Sequence, residues 1–201
     1  MRIFDTHAHY DDEAFDADRE YLLEKALPEK DIKHITNIGC DIDTSRLSAE
    51  LADKYEYMYA AVGVIPHHVG DMSEADIDEL ERLALGSDKV VAIGEIGLDY
   101  HYDEPERDIQ KKWFVRQMEL AGKLGLPIVI HSRDAAKDTA DIMKAAHAEK
   151  IGGVVHCYSY TEEMSREFLK MGFFFGIGGV VTFKNSKKLK AAVRAIPIEN
   201  P

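Results

Sequence analysis

Five metal-ligating side chains in this chain each follow or close an apolar run. They are His7 and His9 in Asp5-Thr6-His7-Ala8-His9, Glu95 in Gly94-Glu95-Ile96-Gly97, His131 in Ile128-Val129-Ile130-His131, and His156 in Val154-Val155-His156. Imidazole nitrogens with a carboxylate suit zinc, manganese, nickel or iron, and with added waters magnesium, so ligand type alone does not choose the ion. In a strand, His7 and His9 project from one face with about 7 Å between their Cα atoms, close enough to share a cation. Each residue alone has an ordinary reading, as a surface imidazole, a loop carboxylate or a core histidine bonded to backbone. Gathered at one place without a cation, they would leave buried polar groups unpaired. Five donors exceed one tetrahedral site, so the expectation is two divalent ions bridged by Glu95. Such a pair polarises a phosphoryl or carbonyl oxygen, supplies hydroxide near neutral pH and stabilises the leaving oxygen.

The elements that must position these residues alternate along the chain. Strand-like runs fall at 2–6, 34–39, 57–64, 90–96, 127–131, 153–157 and 173–177, and most lack polar alternation, as parallel strands covered on both faces do. Helices are expected between them. One spans Ser73 to Gly86, opening on the capping pattern Ser73-Glu74-Ala75-Asp76. A second, Glu106 to Leu124, gathers Ile109, Trp113, Val115, Met118 and Ala121 near one face. Asp134 and Thr161 are expected to cap the next two, and a last helix runs from Ser186 to Ala195. Repeated βα units leave an open doubly wound sheet or a closed (β/α)8 barrel. No Gly-x-Gly-x-x-Gly follows an early strand; Gly176-Ile177-Gly178-Gly179 comes late and lacks that spacing. The strand ends carry His7, His9, Glu95, Asp99, His131, Arg133 and His156, which is where barrel enzymes place their catalytic groups, and this favours the α/β TIM barrel.

The 201 residues are read as a single domain, 1–201. Lys and Arg total 25 against 37 Asp and Glu, a net charge of −12, which excludes a long basic face gripping nucleic acid by counterion release. Contact with a polyanion would be local and metal-borne. No apolar run approaches the roughly 20 residues that span a bilayer, and residue 1 leads straight into the first strand, so a cytoplasmic protein without a leader is expected. Cys40 and Cys157 form neither a metal-type pair nor a disulfide scaffold and are expected to be buried thiols.

The ordered motifs resemble the TatD-type deoxyribonucleases, metal-dependent hydrolases of the amidohydrolase kind with a TIM-barrel fold. The likeness runs over essentially the whole chain. It is carried by Asp5-Thr6-His7-Ala8-His9, Gly94-Glu95-Ile96-Gly97-Leu98-Asp99-Tyr100, Ile130-His131-Ser132-Arg133-Asp134-Ala135, His156-Cys157-Tyr158-Ser159 and Gly178-Gly179-Val180-Val181-Thr182-Phe183-Lys184. The resemblance implies that His7 and His9 hold one metal, that Glu95 bridges as the catalytic carboxylate, and that His131 and His156 hold the second. It implies hydrolysis of DNA phosphodiester bonds by a metal-activated water, trimming from an end, with Mg, Mn or Zn as cofactor. Arg133 and Lys184 are candidates for phosphate contact or ordinary solvated charges, and His67 matches a family substrate position.

Two departures stand out. Ile65 precedes Pro66 where the family usually has histidine. The chain ends at Ile196-Pro197-Ile198-Glu199-Asn200-Pro201, before the eighth strand whose aspartate the family uses. The expectation is therefore a barrel truncated after its seventh βα unit, with unpaired edges on its first and seventh strands and the option of self-association through them. The same metals also suit an ester, amide or lactone hydrolase, or a metal-binding barrel without activity.

Overall fold

The protein's architecture is described for residues 3–198 in a computed structural model. Seven strands form one parallel sheet in simple sequence order, β1 Ile3–Ala8, β2 Ile32–Ile38, β3 Met58–Val62, β4 Val90–Asp99, β5 Ile128–Arg133, β6 Gly153–Val155 and β7 Phe174–Phe175. Each strand pairs with the next, and helical segments fill the crossovers. The sheet is curled. Ile38, Ala61, Ala92 and Val129, one from each of β2 to β5, form a cluster separate from the larger core, with Val154 of β6 packed against it. The larger core lies between the strands and the helices.

The count of seven strands among the described residues agrees with the sequence reading, and several boundaries move. β4 continues through Asp99 and β5 through Arg133, so the strands that carry the site are longer than their apolar runs. The helix Glu74–Gly86 starts as expected, with the Asp76 carboxylate accepting the Ser73 backbone N–H at 2.8 Å. Thr161 caps Glu162–Lys170 through its hydroxyl. Asp134 does not cap. It takes a left-handed φ of 53°, and Ala135 stands at the start of Ala136–Ala145 with no side-chain cap. Asp134 faces His101 instead, at 3.4 Å.

The helix Arg107–Leu124 buries Trp113, Met118 and Ala121, and it also buries two glutamines that its apolar periodicity does not announce. Gln117 clasps the backbone of Val64, accepting its N–H at 2.8 Å and donating to its carbonyl at 3.0 Å. Gln110 does the same for Asp99, at 2.9 and 3.1 Å. Both bonds fasten the ends of central strands to a helix, where the ladder can no longer satisfy the backbone. At the sheet's two ends, β1 and β7 each have one strand neighbour, and Phe4 and Phe174 are half exposed there. Glu199, Asn200 and Pro201 lie outside the described residues.

Candidate metal centre

β1 carries His7 on its last turn of pleat and delivers His9 one residue beyond its end. Their Nε2 atoms meet at 3.1 Å, and His7 Nε2 is 3.2 Å from Glu95 Oε2. The ring of His156, at the end of β6, stacks on His7 with centroids 3.4 Å apart and planes 10° from parallel. Ligand atoms of His7, Glu95 and His156 all lie within 4.8 Å of one another. Two donors held 2.0–2.1 Å from one ion stand about 3.0–3.4 Å apart at octahedral to tetrahedral angles. The His7 distances fall in that range, so the donor set fits a divalent cation. His9 also has the supporting contact a ligand needs: its Nδ1 lies 2.9 Å from the Ile38 carbonyl, so Nδ1–H donates and the Nε2 lone pair faces the cluster.

His131 occupies a different setting. Its Nδ1 is 3.0 Å from Glu95 Oε1 and its Nε2 is 2.9 Å from Asp99 Oδ2, so the ring bridges two carboxylates. Asp99 is fully buried, and its second oxygen accepts the backbone N–H groups of His101 and Tyr102 at 2.9 and 3.0 Å. A close strand approach makes the bridge possible. Gly97 pairs with His131 across the β4–β5 ladder at a φ of 150°, and a Cβ there would fall 1.8 Å from the His131 carbonyl oxygen. Only glycine fits, and Glu95 and Asp99 flank it at two residues on either side.

Charge follows geometry. Burial alone would raise the Glu95 carboxyl, yet hydrogen bonds from His131 and His7 hold it well below the usual carboxylate range. Burial opposes the charge on His131, but Glu95 and Asp99 outweigh it and raise its pKa. Burial, then the neighbouring His7, pushes His156 down to about 4, so it stays neutral with a lone pair available. His67 is also lowered, by burial and by His131; its Nδ1 is buried without a hydrogen-bond partner, 3.8 Å from Asp99 Oδ2. Burial and Glu95 drive the Cys40 thiol up to about 12, which removes it as a nucleophile.

The structure thus brings His7, His9, Glu95, His131 and His156 into one continuous cluster, with His67 at its margin. It does not bring in Lys184, an exposed residue beyond Gly179–Thr182 with no hydrogen bond or ion pair to the cluster among the described residues. Arg133 is exposed and lies over the ring of Tyr102, 5.2 Å from its centroid. Asp99 has the role that the sequence reading left unassigned. It stands four residues after Glu95 on one strand and so on the same face, a spacing that was available before the fold was known.

A curled parallel sheet with imidazoles and carboxylates at its C-terminal strand ends defines a barrel-like metal-dependent hydrolase. The comparisons with known proteins narrow the class. The family model described as TatD related DNase matches residues 4–200. The uncharacterised metal-dependent hydrolase YabD of Bacillus subtilis (strain 168) is 45% identical over 195 residues, covering 97% of this chain and 76% of its own length. YcfH of Escherichia coli (strain K12), of the same description, is 30% identical over 202 residues, covering 99% of this chain and 75% of itself. The crystal structure of YjjV, a TatD homologue from Escherichia coli K12, superposes with a TM-score of 0.89 at 29% identity, over 98% of this chain and 75% of that one. The chain belongs to the TatD-related DNase family of metal-dependent hydrolases. No helix among the described residues is long and apolar enough to cross a membrane.

Proposed function

We propose that this protein hydrolyses phosphodiester bonds at the end of a DNA strand, using two divalent cations drawn from Mg, Mn and Zn. The observation that carries the reading is the cluster in which His7, His9, Glu95, His131 and His156 converge at the ends of four parallel strands. His7 and His9 would hold one ion, His156 and His131 the other, and Glu95 would lie between them with one oxygen toward His7 and the other toward His131. When bound, such ions activate a water and neutralise charge developing on the phosphoryl oxygens.

The chain's own residues have separable tasks. Neutral His156 and the Ile38-anchored His9 present lone pairs. Asp99 fixes the orientation of His131 and so acts through it. His67 keeps a buried, unpartnered Nδ1 at the margin, suited to a polar group of a substrate. Arg133 at the rim would meet the phosphate nearest the cluster, and Lys184, outside the cluster, a phosphate farther along the strand. Against a net charge of −12, recognition by a few local cations and bound metal is the form of polyanion binding this chemistry allows.

The test is cleavage of a labelled oligonucleotide with Mn²⁺, Mg²⁺ or Zn²⁺. The expected result is progressive shortening that EDTA stops and that His7→Ala and Glu95→Ala each abolish. Shortening that persists in EDTA and in both variants would overturn the reading. A parallel panel of carboxyl ester, amide and lactone substrates checks the choice of phosphorus over carbon.

A further inference from the structure

We propose that Tyr102 is a nucleobase-stacking platform at the rim of the site, with Arg133 completing it on the phosphate side. The proposal rests on the phosphodiesterase reading and goes further, because it assigns to one exposed ring the recognition of a base next to the bond being cut.

Four observations converge on Tyr102. The ring is 60% exposed although its backbone is firmly held. That hold comes from the site itself: the Asp99 carboxylate that grips His131 also accepts the Tyr102 N–H at 3.0 Å, so the loop and the catalytic imidazole share one anchor. Aromatic neighbours meet the ring in T-shaped contacts. His67 and His101 each stand 5.3 Å away by ring centroids, at interplanar angles of 80° and 81°. Arg133 places its guanidinium 5.2 Å from the ring centroid, within cation–π range.

The position is as informative as the surroundings. From Tyr102, His67 is the next ring inward, and His67 in turn stands 5.7 Å from His131. The platform is therefore one imidazole away from the cluster. A core role does not account for an aromatic exposed to this degree, and an ordinary surface tyrosine would not be braced by two histidines and an arginine. Stacking also fits the acidic chain. A π-face recognises any base without needing positive charge, and a single arginine suffices for the adjoining phosphate. The platform would take an unpaired base of any identity, giving affinity with little sequence preference.

The test uses two labelled oligonucleotides that differ only in whether the terminal nucleotides bear bases or are abasic. Anisotropy with Mn²⁺ on oligonucleotides whose terminal linkages are slowly cleaved phosphorothioates measures binding with the metal in place, and KM is measured with Mn²⁺ on the ordinary linkages. The expected result is that the wild-type protein binds the base-bearing end about tenfold more tightly than the abasic end. Tyr102→Ala should bring this ratio close to one, and Tyr102→Trp should restore it. Retention of the wild-type ratio in Tyr102→Ala, with cleavage of DNA intact in the wild type, would overturn the platform and leave the nuclease reading standing. If the wild-type protein neither binds nor cleaves either oligonucleotide, the nuclease reading fails and the platform fails with it.

Discussion

Two neighbouring histidine settings share Glu95 and behave in opposite ways. On the His7 side, one imidazole touches a Glu95 oxygen at 3.2 Å, with the His9 nitrogen facing it at 3.1 Å and the His156 ring stacked on it. On the His131 side, one imidazole lies between two carboxylates at 3.0 and 2.9 Å and is fully hydrogen-bonded. The first setting pushes the pKa of His156 down to about 4; the second raises the pKa of its histidine. Residue type is the same in both. Burial, then a neighbouring imidazole, keeps His156 a ligand in waiting, while two carboxylates overcome burial and make His131 a cationic partner that must lose a proton before it can ligate.

Both settings depend on the carboxylate they share. Glu95→Ala should lower hydrolysis by about 10²–10⁴-fold and reduce the metal retained per chain, read by kinetics and by elemental analysis of one preparation. Loss of one ion with hydrolysis intact would mean that the two settings work independently.

Gly97→Ala attacks the spacing and not the chemistry. The added methyl would meet the His131 carbonyl at 1.8 Å at a φ that disfavours side chains, and the β4–β5 ladder cannot yield locally. A loss of about 3 kcal/mol or more in urea unfolding is expected. Unchanged stability would show that the strands can separate without cost, and with them Glu95 and Asp99.

Asp99→Asn touches only the His131 side. The amide is nearly isosteric but removes a negative charge that supports the ring, so metal affinity measured by titration calorimetry should fall about 10- to 100-fold, the usual effect of a lost supporting contact. The cation count on the His7 side should be unchanged. Equal weakening on both sides would make the contrast between them false.

These effects also mark what was legible in the residues. His7, His9, Glu95, His131 and His156 could be picked out because each follows or closes an apolar run, and strand periodicity alone sends them to one rim. The seven strands were legible for the same reason. Asp99 stood among the strand-end residues without a role because the apolar run before it suggested a strand ending at 96, whereas Gln110 satisfies the Asp99 backbone and extends order to that point. The glutamine lies in a helix whose periodicity gives no sign of a buried polar contact, so only the fold reveals it. Asp134 misled for a local reason: a residue with helix-capping chemistry instead adopts a left-handed turn and pairs with His101. The contrast between His156 and His131 was not legible either, since it depends on which ring faces His7 and which faces Asp99.

The pH dependence of stability reads the contrast between His156 and His131 directly. The ordinary imidazole pKa is 6.5, and His156 sits at about 4 in the fold. Between those values the unfolded chain binds a proton that the folded chain refuses. The associated stability is therefore fully present above about pH 6.5 and is lost as pH falls toward 4. His67, lowered as well, acts in the same direction. His131 is raised, so it is protonated in both states across this window and adds no slope there; its stabilisation is present below 6.5 and is lost as pH rises through its raised value. Metal-free protein should accordingly show a melting temperature that declines from pH 6.5 to pH 4. His156→Gln should flatten that decline by about 3 °C, while His131→Gln should leave its slope and instead remove a loss on the neutral-to-alkaline side. If both variants flatten the same limb, the two histidines titrate alike and the opposition between their settings has no energetic content.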